Sequence, residues 1–239
     1  MALRLGIDID GVLADFRSAF RDTARECLRR EIVSDGQTDG GLSHIDIDRI
    51  WNHIARRANW WMTLRAYEPR EIANLYTLAR SHQWEVCFLT KRPPSGGDSV
   101  QFQTQWWLEQ QGFYLPAVIT VPGSRGDLAN ALRLDLAIDD QFVNCAEIIG
   151  AGPTKALLML RDPNSAMRQH AIDRGVGVVS TLAETLPILQ QLHELLRSQR
   201  GRMIRLSEWF RPNATETLPH NPRFSRPLPD EPAPTKSVT

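Results

Sequence analysis

The 239-residue sequence predicts an α/β fold: a parallel sheet covered by helices on both faces, with a small helical insertion after the first strand. Three features point to it. Short, mostly apolar runs rich in branched residues alternate with longer amphipathic segments, the pattern of buried strands joined by right-handed crossover helices. One connection breaks the alternation: about 75 residues separate the first two strand runs, far more than one crossover helix needs. At roughly 150 residues per domain, the length gives one full domain plus an insertion or a tail.

Residues 3–8 read as the first strand. Residues 16–32 then read as a helix, 34–43 as a polar, glycine-bearing loop, and 47–58 as a second helix, followed by Asn59, Trp60, Trp61 and Leu64. This helical insertion, residues 15–66, is expected to sit over the C-terminal edge of the sheet. Strands follow at 85–89, 117–121, 134–138, 156–160 and 176–179. Helical patterns lie near 70–81, 98–112, 126–133, 142–150, 164–174 and 181–198. The core is therefore assigned to 1–14 and 67–200. Residues 201–239 form a tail. From Pro212 onward it holds seven of the chain's 15 prolines and few large apolar residues, so disorder is expected there. A polyproline docking segment is the alternative. No internal repeat is detected.

Composition narrows the function. Lys plus Arg equals Asp plus Glu at 28 each, so the overall balance does not favour a nucleic-acid polymer or an anionic membrane as partner. No run approaches the roughly 20 apolar residues of a membrane helix. Asp8 arrives too early for a signal-peptide core, which makes Asn213-Ala-Thr a chance spelling of a glycosylation site. Cys27, Cys87 and Cys145 form no CxxC, and the six histidines show no paired ligand spacing. Zinc and a disulfide scaffold are disfavoured, and reduced thiols in the cytoplasm are expected. Oligomeric state is not legible.

The chemistry gathers at strand ends, where open parallel sheets bind ligands. Strand one ends in Asp8, Ile9, Asp10 and Gly11, strand two in Thr90, Lys91 and Arg92, and strand four in Asp139 and Asp140. Singly, the first group reads as a turn and Asp139 as a helix cap. Together, four carboxylates on one rim repel unless a cation neutralises them. Mg2+, which binds oxygens and keeps company with phosphate, is the natural one.

Asp8-Ile-Asp-Gly-Val-Leu resembles the DxDGxL/V signature of the haloacid dehalogenase superfamily of phosphohydrolases. Phe88-Leu-Thr90 resembles its second motif, and Ala137-Ile-Asp139-Asp140 its acidic fourth motif. The likeness covers roughly residues 1–196 and implies a Rossmann-like core with the insertion as a cap. A narrower likeness, in Ile50-Trp51, Asn59-Trp60-Trp61, Leu64, Glu68 and Pro69, is to the 5'(3')-deoxyribonucleotidases.

The resemblance implies a Mg2+-dependent phosphomonoesterase acting on a small phosphorylated metabolite such as a (deoxy)nucleotide. Asp8 is then the nucleophile and Asp10 the acid and base. Thr90, Lys91 and the backbone of the 9–11 loop, including Ile9 and Gly11, bind phosphate. Asp8, Asp139, Asp140 and the backbone carbonyl of Asp10 hold the metal. The superfamily's third-motif lysine is missing, since no lysine lies between Val121 and Asp140. Arg125 is the best substitute, with Lys91 or Lys155 as alternatives, although a guanidinium fork differs from an ammonium point charge. Lys91 and Arg92 are also candidates for binding a second anionic group. Trp60 and Trp61 either stack on a substrate base, which is worth about 1–3 kcal/mol, or pin the insertion to the core. The missing lysine leaves a second possibility open, a weakly active or non-catalytic relative that binds a phosphorylated ligand or a protein partner.

Overall fold

The computed structural model describes residues 2–32, 41–121, 123–162 and 164–209. The expected loop at 34–43 falls largely outside them, and so do the proline-rich stretch from Pro212 and the Asn213 spelling. The chain divides into two units, Met1–Arg197 and Ser198–Thr239. The sheet and the rim acids belong to the first.

Six strands are described: β1 (Arg4–Asp8), β2 (Glu85–Thr90), β3 (Ala117–Thr120), β4 (Leu136–Asp139), β5 (Lys155–Met159) and β6 (Gly177–Val179). They form one sheet in the order β3-β2-β1-β4-β5-β6, and every pairing is parallel. The chain winds outward from β1 through β2 to β3, then crosses to β4 on the other side of β1. That reversal makes the C-terminal end of β1 the topological switch point, where the connecting loops part and leave a crevice.

Helices cover both faces: α1 (Phe16–Leu28), α2 (His44–Arg56), α3 (Pro69–His82), α4 (Val100–Gln110), α5 (Arg125–Ala131), α6 (Phe142–Ala151), α7 (Ser165–Asp173) and α8 (Leu182–Trp209). The apolar strand residues feed two cores. One unites Ile7, Phe88 and Leu136 with the insertion's Ile50, Ile54, Trp60 and Trp61. The other packs Leu89, Ala137 and Leu158 against Ala129, Cys145 and Ile148. Among the described residues no helix is long and apolar enough to cross a membrane.

Two boundaries matter for the site. The helix expected at 126–133 begins at Arg125, because Ser124 caps it by accepting the N–H groups of Gly126 (3.1 Å) and Asp127 (3.3 Å). Gly126 lets this helix close on α6, since a Cβ there would stand 2.5 Å from the Glu147 carbonyl oxygen. Arg125 is thereby turned inward and is only 6 % exposed.

The insertion comprises α1, α2 and a 3-10 helix, Trp60–Thr63. Its two connections to the core run side by side: Asp15 N–H donates to the Arg65 carbonyl (2.8 Å) and Tyr67 N–H to that of Leu13 (2.9 Å). Trp60 and Trp61 are 2 % and 1 % exposed; Trp61 stacks on Phe16 and leans on Trp51, while Trp60 meets Phe16 and Trp61 edge-on. Trp61 Nε1 donates to the Pro93 carbonyl (3.0 Å) and Trp60 Nε1 to Thr23 Oγ1 (3.3 Å). Of the two readings, the burial supports the pinning one and disfavours the substrate-pocket one. Rings with so little free surface have no face left for a substrate base, and they fasten the insertion instead.

Candidate active site

Asp8, Thr90 and Asp139 are the last residues of β1, β2 and β4. Because the strands are parallel and adjacent, these side chains emerge on one rim. Asp10 and Asp140 follow in the loops. Lys155 is the first residue of β5 and so lies at the opposite end, which removes it as a source of charge for this rim.

The loop after β1 is a tight backbone knot. The Ile9 carbonyl accepts the N–H groups of Leu13 and Ala14 (2.8 Å each), and Gly11 N–H donates to the Ala14 carbonyl (2.9 Å). Gly11 N–H is therefore spent inside the loop and is not a phosphate donor as expected. Its contribution is shape. With φ at +86°, a Cβ on Gly11 would collide with the Asp140 carboxylate. Gly11→Ala is expected to cost about 1–3 kcal/mol in stability and to depress turnover at least about tenfold by displacing Asp140. Denaturant melts and steady-state rates check both.

Arg125 is the centre of the charge arrangement. Its Nη2 donates to Asp8 Oδ1 in a close ion pair, and its Nε lies 3.5 Å from Asp139 Oδ2. Asp139 is oriented from its other oxygen, which accepts from the Gln141 backbone N–H and from Asn144 Nδ2, both at 2.9 Å. Of the buried polar side-chain atoms without a protein partner among the described residues, Thr90 Oγ1 and Arg125 Nη1 lie on this rim.

One guanidinium does not balance the acids. Burial, with Asp139 beside it, holds the Asp8 carboxyl well above the usual carboxylate range despite Arg125. Burial likewise raises Asp139 against its hydrogen bonds and Arg125. Asp140 is pushed up to about 6 by burial and by Asp139. The fold therefore binds the Asp140 proton more tightly than the unfolded chain does. The stability this contributes is present below about pH 4 and is lost as pH rises through about 6. With divalent ions chelated, Asp140→Asn is expected to stabilise the fold at pH 7.5 by about 3 kcal/mol and to have little effect at pH 4. Equal melting temperatures at pH 7.5 would contradict this.

Asp10 is held differently. Arg92 Nε and Nη2 donate to its two oxygens, each at 2.8 Å. Arg92 is thus committed to a carboxylate and not, as anticipated, open to a second anion. Lys91 is exposed and borders an open cavity of about 330 Å³ with Thr90, Arg92, Thr120 and Val121. A further rim residue is not apparent from the sequence motifs. Arg161, just past β5, donates to the carbonyls of Gly11 (3.1 Å) and Val12 (2.5 Å) and to Glu68 Oε1 (2.9 Å). Its place at a strand end is the one signal that could have found it. Among the described residues no three His, Cys, Asp or Glu side chains converge closely enough to hold a metal by themselves.

The parallel sheet in this order with a helical insertion between β1 and β2 matches the fold of solved haloacid dehalogenase family hydrolases. The chain is similar to a haloacid dehalogenase family hydrolase from Deinococcus radiodurans R1, solved with bound phosphate and sodium. The TM-score is 0.54 at 13% identity, over 80% of this chain and 96% of that one. A phosphonoacetaldehyde-hydrolase-like protein from Oleispira antarctica gives 0.54 at 15% identity, over 81% and 93%. A haloacid-dehalogenase-like hydrolase from Streptococcus pneumoniae gives 0.55 at 12% identity, over 79% and 98%. At these identities the shared property is the fold. No protein-family model matches the sequence, and no curated protein does either.

Proposed function

We propose that this chain is a Mg2+-dependent phosphomonoesterase that hydrolyses a small phosphorylated metabolite through an aspartyl-phosphate on Asp8. One observation carries the proposal. On a rim that holds a buried carboxylate, Thr90 Oγ1 and Arg125 Nη1 are buried without protein partners. Unsatisfied buried donors cost about 1–3 kcal/mol each, and phosphoryl oxygens would satisfy both.

In this reading an Asp8 oxygen attacks phosphorus, the ester P–O bond breaks, and the leaving oxygen takes a proton from Asp10. Water then attacks phosphorus while Asp10 takes its proton, which frees phosphate and regenerates the Asp8 carboxylate. Splitting one displacement into two lowers each barrier. Arg125 takes the part of the missing lysine by pairing with Asp8 and presenting Nη1 to the phosphate. Lys91, exposed beside Thr90, adds a charge for phosphate or for the remainder of the substrate.

The residues fit a hard dication. Three carboxylates are raised while one guanidinium serves only two of them, and Mg2+ is usually held by one or two carboxylates plus water and phosphate oxygens, without a closed protein cage. Asp8 and the Asp10 carbonyl would hold it, with Asp139 and Asp140 directly or through water. Its chemistry there would be to screen the attacking carboxylate from the phosphate. The bound phosphate of the Deinococcus hydrolase supports a phosphoryl ligand on this fold. The buried tryptophans withdraw the one structural argument for a base, so nucleotides and sugar phosphates stand equal as substrates. A cytoplasmic setting remains part of this proposal, with Cys27, Cys87 and Cys145 as free thiols.

The test is phosphate release across nucleotides and sugar phosphates, with Mg2+ and with chelator. Mg2+-dependent release is expected from at least one. Silence across the panel would refute the proposal.

A further inference from the structure

We propose that Arg92 is the positioning residue of Asp10, a buried fork that fixes the orientation of the acid-base carboxylate; this rests on the phosphatase reading. The Arg92 side chain is fully buried, and all three of its nitrogens are engaged. Nε and Nη2 grip the two oxygens of Asp10, while Nη1 donates to Thr104 Oγ1 at 2.9 Å. Thr104 is itself buried and donates to the Val100 carbonyl at 2.7 Å. The guanidinium lies over the Trp61 ring, 4.7 Å from its centroid. Trp61 is in turn fixed by Gln103, whose Oε1 accepts its backbone N–H (3.2 Å), and by the Pro93 carbonyl.

A buried ion pair is a poor source of net stability, because desolvation offsets the attraction. Its value lies in geometry, since a two-point grip leaves the carboxylate one orientation. Of the other rim acids, Asp8 and Asp139 share Arg125, and Asp140 accepts from Gln141 Nε2 at 3.1 Å. Asp10 has its own guanidinium, which sets the plane of its carboxylate; one of the two N–H contacts yields when Asp10 serves the leaving oxygen. Because the grip leans on Trp61, the acid is also registered to the insertion.

The consequence falls on one half-reaction. When Asp8 bonds to phosphorus and the ester oxygen departs, Asp10 supplies the proton that the departing oxygen needs. A leaving group stable as an anion needs none. The experiment compares kcat/KM, which reports formation of the phospho-enzyme, for phenyl phosphate and 2,4-dinitrophenyl phosphate in wild type, Arg92→Met and Arg92→Lys. The expected loss in Arg92→Met is about 100-fold or more on phenyl phosphate and under about tenfold on the dinitrophenyl ester. Arg92→Lys keeps the charge without the fork and should show the same inequality with smaller losses, which covers the case in which the methionine variant does not fold. Equal losses on both esters in the lysine variant mean a merely structural arginine and overturn the inference while leaving the phosphatase standing. A wild type inert toward both esters with Mg2+ overturns the phosphatase reading and this inference with it.

Discussion

Asp8→Asn is expected to lose phosphate release by on the order of 10⁴-fold or more while keeping its fold. The amide cannot form the acyl-phosphate, and it removes one of the three carboxylates proposed to hold Mg2+. The fold should survive because the change deletes a charge that burial and Asp139 already disfavour. An amide oxygen can still accept from Arg125 Nη2, so that guanidinium nitrogen keeps a partner. Melting temperatures within a few degrees of wild type are therefore the expected companion of the lost rate. Asp10→Asn should fall nearly as far on substrates with poor leaving groups, because an amide carries no proton to the departing oxygen. Turnover close to wild type in Asp8→Asn would exclude the covalent route.

Arg125→Ala is the second large effect. The guanidinium pairs with Asp8, lies near Asp139, and has one buried nitrogen without a protein partner. Deleting it removes a charged hydrogen bond to the transferring phosphoryl group, worth on the order of 10²–10³ in rate. It also leaves the rim acids without their buried cation. The Asp8 carboxyl should then rise further, so that less of the nucleophile is ionised at neutral pH and rates recover partly as pH is raised. Arg125→Lys should restore part of the loss, since lysine returns the charge at one point but cannot bridge two carboxylates. A rate for Arg125→Ala within a few-fold of wild type would pass the role to Lys91.

Much of this site is written locally in the chain. The strands are short branched runs, the central β1 and β4 buried on both faces so that no alternation can be misread, and each acid or hydroxyl of interest stands at or just past the end of one of them. Since connected parallel strands all point the same way, a residue's position at a strand end fixes its rim before any contact is known. That reasoning brought Asp8, Thr90, Asp139 and Asp140 together; Arg125, at the start of a helix, was singled out by the family resemblance as the substitute for its missing lysine. Gly11 was legible as a needed glycine, although its reason differs: Asp140 occupies the place of its Cβ, and its N–H is used by Ala14.

The partners of the long side chains, by contrast, were settled by tertiary packing. Arg92 looks like a free rim cation in sequence, and its carboxylate partner is 82 positions away, brought near only because β2 pairs with β1. Trp60 and Trp61 carry the same composition whether they face a substrate or a core. Their burial follows from distant segments meeting them: Pro93 of the loop after β2 and Gln103 of α4 hold Trp61, and Thr23 of α1 holds Trp60. Periodicity and strand-end chemistry are properties of neighbouring residues, so the sheet and the acidic rim were already specified by the order of residues along the chain. Charge pairing and ring burial depend on which distant segments meet, and the strand order and the seating of the insertion decided those.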